Sequence, residues 1–324
     1  MNNINSVGVI VITYNGENYI LKQLKSIKDQ SLVPSCVLVF DDCSTDNTLA
    51  IVKNFIKEYE LQNWKIIHRE ENVGWRKNAY MALMECNTDI VFWSDQDDVW
   101  CENKVQTLLD VIEEQNCLIA YSCWEYINSD GERMNLRAGS HSGNLIVVNP
   151  FMKKTHIPPL LGCSACFKRG LISKLPLIMP CEYDSPDWVL YLLGVTLGKV
   201  VYVDEPLFFR RLHESNVTSS AKKFRRSWTF SYSQKREKNA ILVGQYNTLN
   251  KMLGALGSIK VDTSFITAER DYLYYRTRFL NFHDNGINYL ISSMKQNNFF
   301  DFIYTLYSDI TFVIISVYRK IFVS

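Results

Sequence analysis

The chain has 324 residues, 47% of them hydrophobic, enough to bury a core as one large domain with an appendage or as two domains, and too many for disorder. Lys and Arg number 35 against 34 Asp and Glu, so the net charge of +1 gives no global field that would select nucleic acid as a partner. Nine cysteines lie scattered without a repeating frame, which fits reduced, buried thiols of a cytoplasmic protein better than a disulfide framework. Cys163-x-x-Cys166 has no second Cys or His pair at zinc spacing and reads as core packing.

The polar opening Met1–Ser6 leads straight into Val7–Thr13, an apolar run too short and too poor in flanking base for an export signal. Its β-branched composition predicts a strand buried on both faces of a parallel sheet. Tyr14-Asn15-Gly16 breaks the run, and Ile20, Leu21, Leu24 and Ile27 recur at helical spacing within residues 17–30. Cys36–Phe40 predicts a second strand ending in Asp41-Asp42, with Ser44-Thr45-Asp46 supplying N-cap chemistry for a helix to about residue 60. Trp64–His68 predicts a third strand, followed by the Glu70–Gly74 loop and a helix from about Arg76 to Cys86; Asp89–Ser94 predicts a fourth.

Four such alternations predict a parallel α/β sheet with its ligand crevice at the carboxyl ends of the strands. Tyr14, Asn15, Asp41, Asp42, Asn72 and Asp95 to Asp98 all fall at those ends. The first turn holds a single glycine, Gly16, which argues against a Gly-x-Gly-x-x-Gly dinucleotide site, and no Gly-x-x-x-x-Gly-Lys-Ser/Thr loop is present. In Asp95-Gln96-Asp97-Asp98, three carboxylates within four residues repel one another unless a cation joins them. Oxygen donors suit Mg²⁺ or Mn²⁺; a solvated acidic turn is the competing reading.

Further on, the sequence predicts a helix over 103–114, a strand over 118–127 and a turn at 128–131. Residues 151–159 read as loop and 161–167 as a small-residue strand that permits close approach. Tyr183–Trp188 opens a helix reaching about Leu197, with Pro186 in its first turn. Strands over 199–203 and 207–212 are joined by a turn at Asp204-Glu205-Pro206. Between Lys222 and Lys238 seven basic residues interleave with Phe224, Trp228, Phe230 and Tyr232, which suits either an anionic membrane surface or a solvated helical linker. Phe299–Val323 is apolar but interrupted by Asp301, Asp309, Arg319 and Lys320; it falls short of a spanning helix and reads as an in-plane amphipathic helix or one packed on the body.

Taken in order, Val11-Ile12-Thr13-Tyr14-Asn15-Gly16, Asp41 to Asp46, Asn72-Val73-Gly74, Ser94 to Trp100, Gly162-Cys163-Ser164, Asp187-Trp188 and Asp204 to Asn216 resemble the motifs of the family 2 glycosyltransferases. These are inverting, nucleotide-sugar-dependent enzymes, and the chain looks closest to rhamnosyltransferase-like members that build bacterial surface polysaccharides. The resemblance implies an α/β GT-A fold, with a mostly parallel central sheet flanked by helices, over residues 1–218. It implies a nucleotide-sugar half over residues 1–100, an acceptor half over 101–218 and a helical C-terminal region over 219–324 that associates with membrane or packs on the body. It further implies that Thr13, Tyr14 and Asp42 border the nucleoside and that Asp95 lies near the ribose. Lys77, Asn78 and Arg211 fall near the diphosphate of the donor. Asp97, with Asp98 and His213, would hold Mg²⁺ or Mn²⁺, and Asp187 would be the general base. The implied partners are a dTDP- or UDP-sugar donor and a glycan or lipid-linked oligosaccharide acceptor. The implied location is the cytoplasm, peripheral at the inner face of the membrane.

Asp187 at a helix start, His213 and Asp42 also admit purely structural readings. Three departures from the family pattern are visible: Pro186 stands where relatives carry His, Ser164 ends the Gly-Cys-Thr-like motif, and Cys43 stands where they carry Gly, a harmless exchange if the backbone there has negative φ. A sugar-phosphate nucleotidyltransferase would need a Gly-rich basic N-terminal loop, which Tyr14-Asn15-Gly16-Glu17 lacks. A non-catalytic binding module would have no use for both Asp97 and Asp187.

Overall fold

The computed structural model describes residues 4, 6–148, 157–178, 185–214, 247–255 and 267. They divide into two compact units. The first contains β1 (Val7–Thr13), α1 (Ile20–Lys28), β2 (Cys36–Asp41), α2 (Thr48–Glu58), β3 (Trp64–His68), α3 (Trp75–Glu85), β4 (Ile90–Asp95), β5 (Val99–Trp100) and α4 (Lys104–Glu114). It continues with β6 (Ile119–Ile127), β7 (Arg133–Ala138), β8 (Leu145–Val147), β9 (Ala165–Lys168), α5 (Arg169–Ile172), α6 (Pro186–Leu197) and β10 (Val200–Arg211). Of the second unit, residues 247–255 are described as helical.

One sheet runs in the order β3-β2-β1-β4-β9-β6-β10-β5, with β7 added on β6 and β8 on β10. All seven residues of β1 are buried, as a strand covered on both faces requires. It lies parallel to β2 and β4, so Thr13 pairs with Asp41 and Ile12 with Asp95. This register brings three strand ends, and the polar residues that follow them, to one edge. Ile20, Leu24 and Ile27 of α1, Val52 and Phe55 of α2, and Val105, Leu108 and Ile112 of α4 close the core. Each such side chain contributes on the order of 2 kcal/mol by leaving water.

The parallel half matches the sequence pattern; the other half is mixed. Only β6 and β10 are parallel there, while β9 lies antiparallel between β4 and β6. The predicted strand over 161–167 is shortened, because Gly162–Ser164 makes one tight turn first. Gly162 faces the Trp93 ring so closely that a Cβ there would sit 2.6 Å from it. The predicted turn at Asp204-Glu205-Pro206 is a bulge inside one continuous strand, β10, whose pairing with β6 shifts register on both sides of Pro206. Proline cannot donate to the ladder, so the irregularity falls there. Helix α2 starts at Thr48, and Asp46 accepts the Thr48 N–H (2.9 Å).

The eight described cysteines are free, and Cys163 and Cys166 are buried in the core as expected. The basic stretch Lys222–Lys238 and the apolar stretch Phe299–Val323 lie outside the described residues. No helix among the described residues is long and apolar enough to cross a membrane.

Candidate active site

The turns after β1 and β2 are cross-braced. Ser44 Oγ accepts the Asn15 N–H (2.9 Å), Asn15 Oδ1 accepts the Thr45 N–H (2.8 Å), and Thr48 Oγ1 accepts the Gly16 N–H (2.8 Å). Thr13 is buried at the end of β1, whereas Tyr14 projects with 45% of its surface exposed. Asp41 is consumed internally: it accepts the Ser44 N–H (2.9 Å) and contacts His68 Nδ1 (2.9 Å).

Asp42 is also buried, and its two oxygens accept the N–H groups of Val73 (2.8 Å) and Gly74 (2.9 Å). The carboxylate therefore pins the Asn72-Val73-Gly74 loop to the end of β2. Gly74, at φ 83°, precedes α3. In the first turn of α3, Lys77 is exposed and Asn78 is buried. The Asn78 amide donates to Phe40 O (2.9 Å) and accepts from Arg69 Nε (3.3 Å), which fits a bracket between α3 and β2. Cys43 has φ 63°, so the condition under which its exchange for Gly would be harmless is not met.

The acidic turn after β4 separates its three carboxyl groups by environment. Asp95 accepts the Trp93 indole N–H (3.1 Å), and burial together with the Asp97 charge pushes its pKa up to about 6. Asp97 meets His213 Nε2 at 2.8 Å, which joins this turn to the residues just after β10. Asp98 is 2% exposed; one oxygen accepts the Arg211 N–H (3.2 Å) and the other, buried, has no partner. Burial, then the Asp97 and Asp95 charges, raise the Asp98 carboxyl well above the usual carboxylate range. Ligand atoms of Asp95, Asp98 and Cys163 lie within 4.8 Å of one another.

An orphaned buried oxygen and strained carboxyls beside a carboxylate–imidazole pair suit a hard divalent cation. Asp97 with His213, and Asp98 with its orphaned oxygen, offer donors of the type such an ion takes, while the ligand atoms gathered within 4.8 Å of one another are those of Asp95, Asp98 and Cys163. Cys163 is a soft donor poorly matched to such an ion, and its hydrogen bond goes to Asp95.

Arg211 was expected beside the donor. The structure buries it: Nε donates to Asp97 O (2.9 Å), Nη1 to Asn128 O (3.0 Å) and Ser129 O (3.1 Å), and Nη2 has no hydrogen-bond partner. It also lies over the Tyr19 ring at 5.0 Å. Its observed contacts hold the acidic turn against the β6–β7 turn.

Asp187 is the second residue of α6. Its carboxylate accepts the Trp188 N–H and the Gly162 N–H, both at 2.9 Å. Gly162 packs on Trp93 and precedes Cys163, so one short segment connects Asp187 to the Asp95–Asp98 cluster.

Two participants were not singled out by sequence. Gln96 ties the acidic turn to Thr13 and Tyr14. Lys104 is fully buried at the start of α4, donates to Cys163 O (2.6 Å) and sits 4.1 Å from the Trp100 ring centre; burial lowers its pKa to about 8. Its place in the spacing Asp98-Val99-Trp100-x-x-x-Lys104 gave no cue, since a lysine on a helix face is usually solvated.

A fold with strand-end loops gathered around an acidic turn defines a nucleotide-diphosphate-sugar transferase, and comparison with known proteins makes the class definite. The family model described as glycosyl transferase family 2 matches residues 8–175, and the chain belongs to that family. The dTDP-rhamnosyl transferase RfbG of Shigella flexneri is 29% identical over 223 residues, covering 63% of this chain and 72% of the relative. Staphylococcus aureus TarS (residues 1–349, with UDP-GlcNAc) superposes with TM-score 0.59 at 18% identity, covering 93% of this chain and 81% of that one. The Pyrobaculum calidifontis mannosyltransferase PcManGT, solved with GDP-Man and Mn²⁺, gives TM-score 0.52 at 16% identity, covering 91% and 74%. The GT-A architecture and the transferase class anticipated from the motifs therefore hold, and the nucleotidyltransferase and non-catalytic readings are set aside.

Proposed function

We propose that this enzyme transfers a sugar, rhamnose first among candidates, from a dTDP- or UDP-sugar to a hydroxyl of a glycan or lipid-linked oligosaccharide, in the synthesis of cell-surface polysaccharide. The observation that carries the reading is the 2.8 Å contact between Asp97 and His213 beside the orphaned oxygen of Asp98. Thr13, Tyr14 and Asp42 take the nucleoside and Asp95 the ribose side. Lys77, exposed at the start of α3, meets the diphosphate, while Asn78 and Arg211 serve from behind as brackets. Mg²⁺ or Mn²⁺ held by Asp97, Asp98 and His213 would supply counter-charge for the leaving diphosphate.

Asp187 accepts the proton of the acceptor hydroxyl as its oxygen attacks the anomeric carbon from the face opposite the leaving group, which inverts that carbon. The N–H groups of Gly162 and Trp188 fix the carboxylate for this task. The rhamnosyl preference is supported by the relative described as a dTDP-rhamnosyl transferase, and the use of metal by the Mn²⁺-bound mannosyltransferase of similar fold. We assign residues 1–218 to the transferase and 219–324 to association with the inner face of the membrane, the latter on its basic and aromatic composition.

The test is a transfer assay over a panel led by dTDP-rhamnose and UDP-GlcNAc, with Mn²⁺ or with chelator, on the wild type and Asp97→Asn. Metal-dependent transfer that Asp97→Asn abolishes with the fold intact is expected; undiminished activity in that variant overturns the metal assignment.

A further inference from the structure

Gln96 lies between the two acids that the proposed function places at the ribose and at the cation, and its side chain points away from both. Its Oε1 accepts the Thr13 hydroxyl (2.6 Å) and the Tyr14 N–H (2.8 Å), and its Nε2 donates to Tyr14 O (3.0 Å). Only a side chain that accepts and donates at once can hold both backbone groups of Tyr14, and the primary amide does so. The fit leaves no slack. A Cβ on Gly16 would stand 2.3 Å from Oε1, so the turn is shaped around this amide. On the other side of Gln96, the Asp97 side chain is tied to His213 and the Asp97 carbonyl to Arg211.

The turn that would carry the cation and the turn that would carry the nucleoside are thus one hydrogen-bonded body. We infer that Gln96 is a positioning residue that couples the two ligands: a cation that fixes the Asp97 turn also fixes Thr13 and Tyr14, and so raises affinity for the nucleoside itself, beyond any bond between metal and phosphate. Linkage makes the effect reciprocal, so the nucleoside also tightens the cation. The inference rests on the assignment of these two turns to cation and nucleoside.

The probes are chosen to keep that assignment separate from the coupling. Uridine and thymidine carry no phosphate, so any effect of Mn²⁺ on their affinity passes through the protein. Their dissociation constants are measured with and without Mn²⁺, and Mn²⁺ binding alone is measured, for the wild type, Gln96→Ala and Gln96→Glu; circular dichroism and thermal melting verify folding. In the wild type Mn²⁺ should tighten the matching nucleoside about tenfold, within the range usual for coupled sites. In Gln96→Ala that gain should vanish while Mn²⁺ and nucleoside each still bind, and the KM for the nucleotide sugar should rise more than kcat falls. Gln96→Glu, which keeps the two acceptor contacts and loses the donor, should fall between.

An equal Mn²⁺ effect in the wild type and Gln96→Ala overturns the coupling and leaves the functional reading standing. A wild type that binds neither Mn²⁺ nor nucleoside overturns the functional reading, and the coupling with it.

Discussion

Asp204, at the bulge of β10, is the best-bonded carboxylate among the described residues, and replacing it by Asn tests how the second half of the sheet is held. Its Oδ1 accepts the Ser140 N–H (3.0 Å), the His141 N–H (3.1 Å) and the Tyr202 hydroxyl (2.6 Å). Its Oδ2 accepts the Ser142 N–H (3.0 Å), the Ser142 hydroxyl (2.6 Å) and the Ser140 hydroxyl. An amide keeps one acceptor oxygen and turns an NH₂ toward the donors on the other side. The hydroxyls can rotate to accept from it; a backbone N–H cannot. One stranded N–H costs about 1–3 kcal/mol, and the loss of charge assistance in the remaining bonds brings the total to roughly 3–5 kcal/mol. Against a usual stability of about 5–15 kcal/mol this is a large fraction.

Urea titration of the wild type and Asp204→Asn provides the measurement, repeated over pH. Burial alone would raise the Asp204 pKa, but the Ser140, Ser142 and Tyr202 hydroxyls more than reverse it and hold the carboxyl far below its ordinary range. A depressed folded-state pKa gives stability that is complete above the unfolded value, about 3.9, and is lost as pH falls through the folded value. The gap between the two proteins should therefore be constant from roughly pH 8 to 5 and shrink below about pH 4. A gap below about 1 kcal/mol at neutral pH, or one that widens on acidification, refutes the reasoning.

Substitutions at three further positions probe the site. Asp42→Asn should cost about 2 kcal/mol in chemical denaturation, because the amide strands one of the N–H groups of the 72–74 loop, and should also weaken nucleotide binding; weaker binding at unchanged stability would assign Asp42 to the ligand alone. Cys43→Val should destabilise by about 1–2 kcal/mol through its β-branch at positive φ, whereas Cys43→Gly should be neutral or mildly stabilising; equal melting temperatures for the two would contradict the strain at this position. Asp187→Asn should lower kcat by about 10²–10⁴-fold with the dissociation constant of the nucleotide sugar retained, as measured by single-turnover kinetics and titration calorimetry; a loss confined to donor affinity would point to another base.

The parallel half was legible because strands buried on both faces are written as unbroken apolar runs, and Val7–Thr13 and Ile90–Trp93 are such runs. The later strands lack that signature. β7 has no buried residue and β5 has two residues in all, so neither imposes a pattern on its sequence. Pro206 looked like a strand end because a proline ordinarily is one, and the bulge that accommodates it is set by partners on β6. The acidic turn announced itself by charge density alone. What the sequence could not convey was the division of labour around it. Arg211 has the charge of a diphosphate ligand, but three backbone carbonyls from two distant turns take its Nε and Nη1, and its buried Nη2 has no hydrogen-bond partner. Gln96 and Lys104 are ordinary polar residues in the sequence, and their importance lies wholly in what surrounds them.

The Arg211 cluster also constrains how the protein is made. Its bonds to Asp97 and Asp98 span 114 and 113 residues, and the His213–Asp97 contact spans 116. During synthesis at about 5–20 residues per second, β1 to β4 leave the ribosome many seconds before β10 does. Through that interval the nascent chain carries its acidic turn without the guanidinium and imidazole that later hold it. The acidic turn is therefore completed only when β10, which lies between β6 and β5 in the sheet, delivers Arg211 and the chain reaches His213.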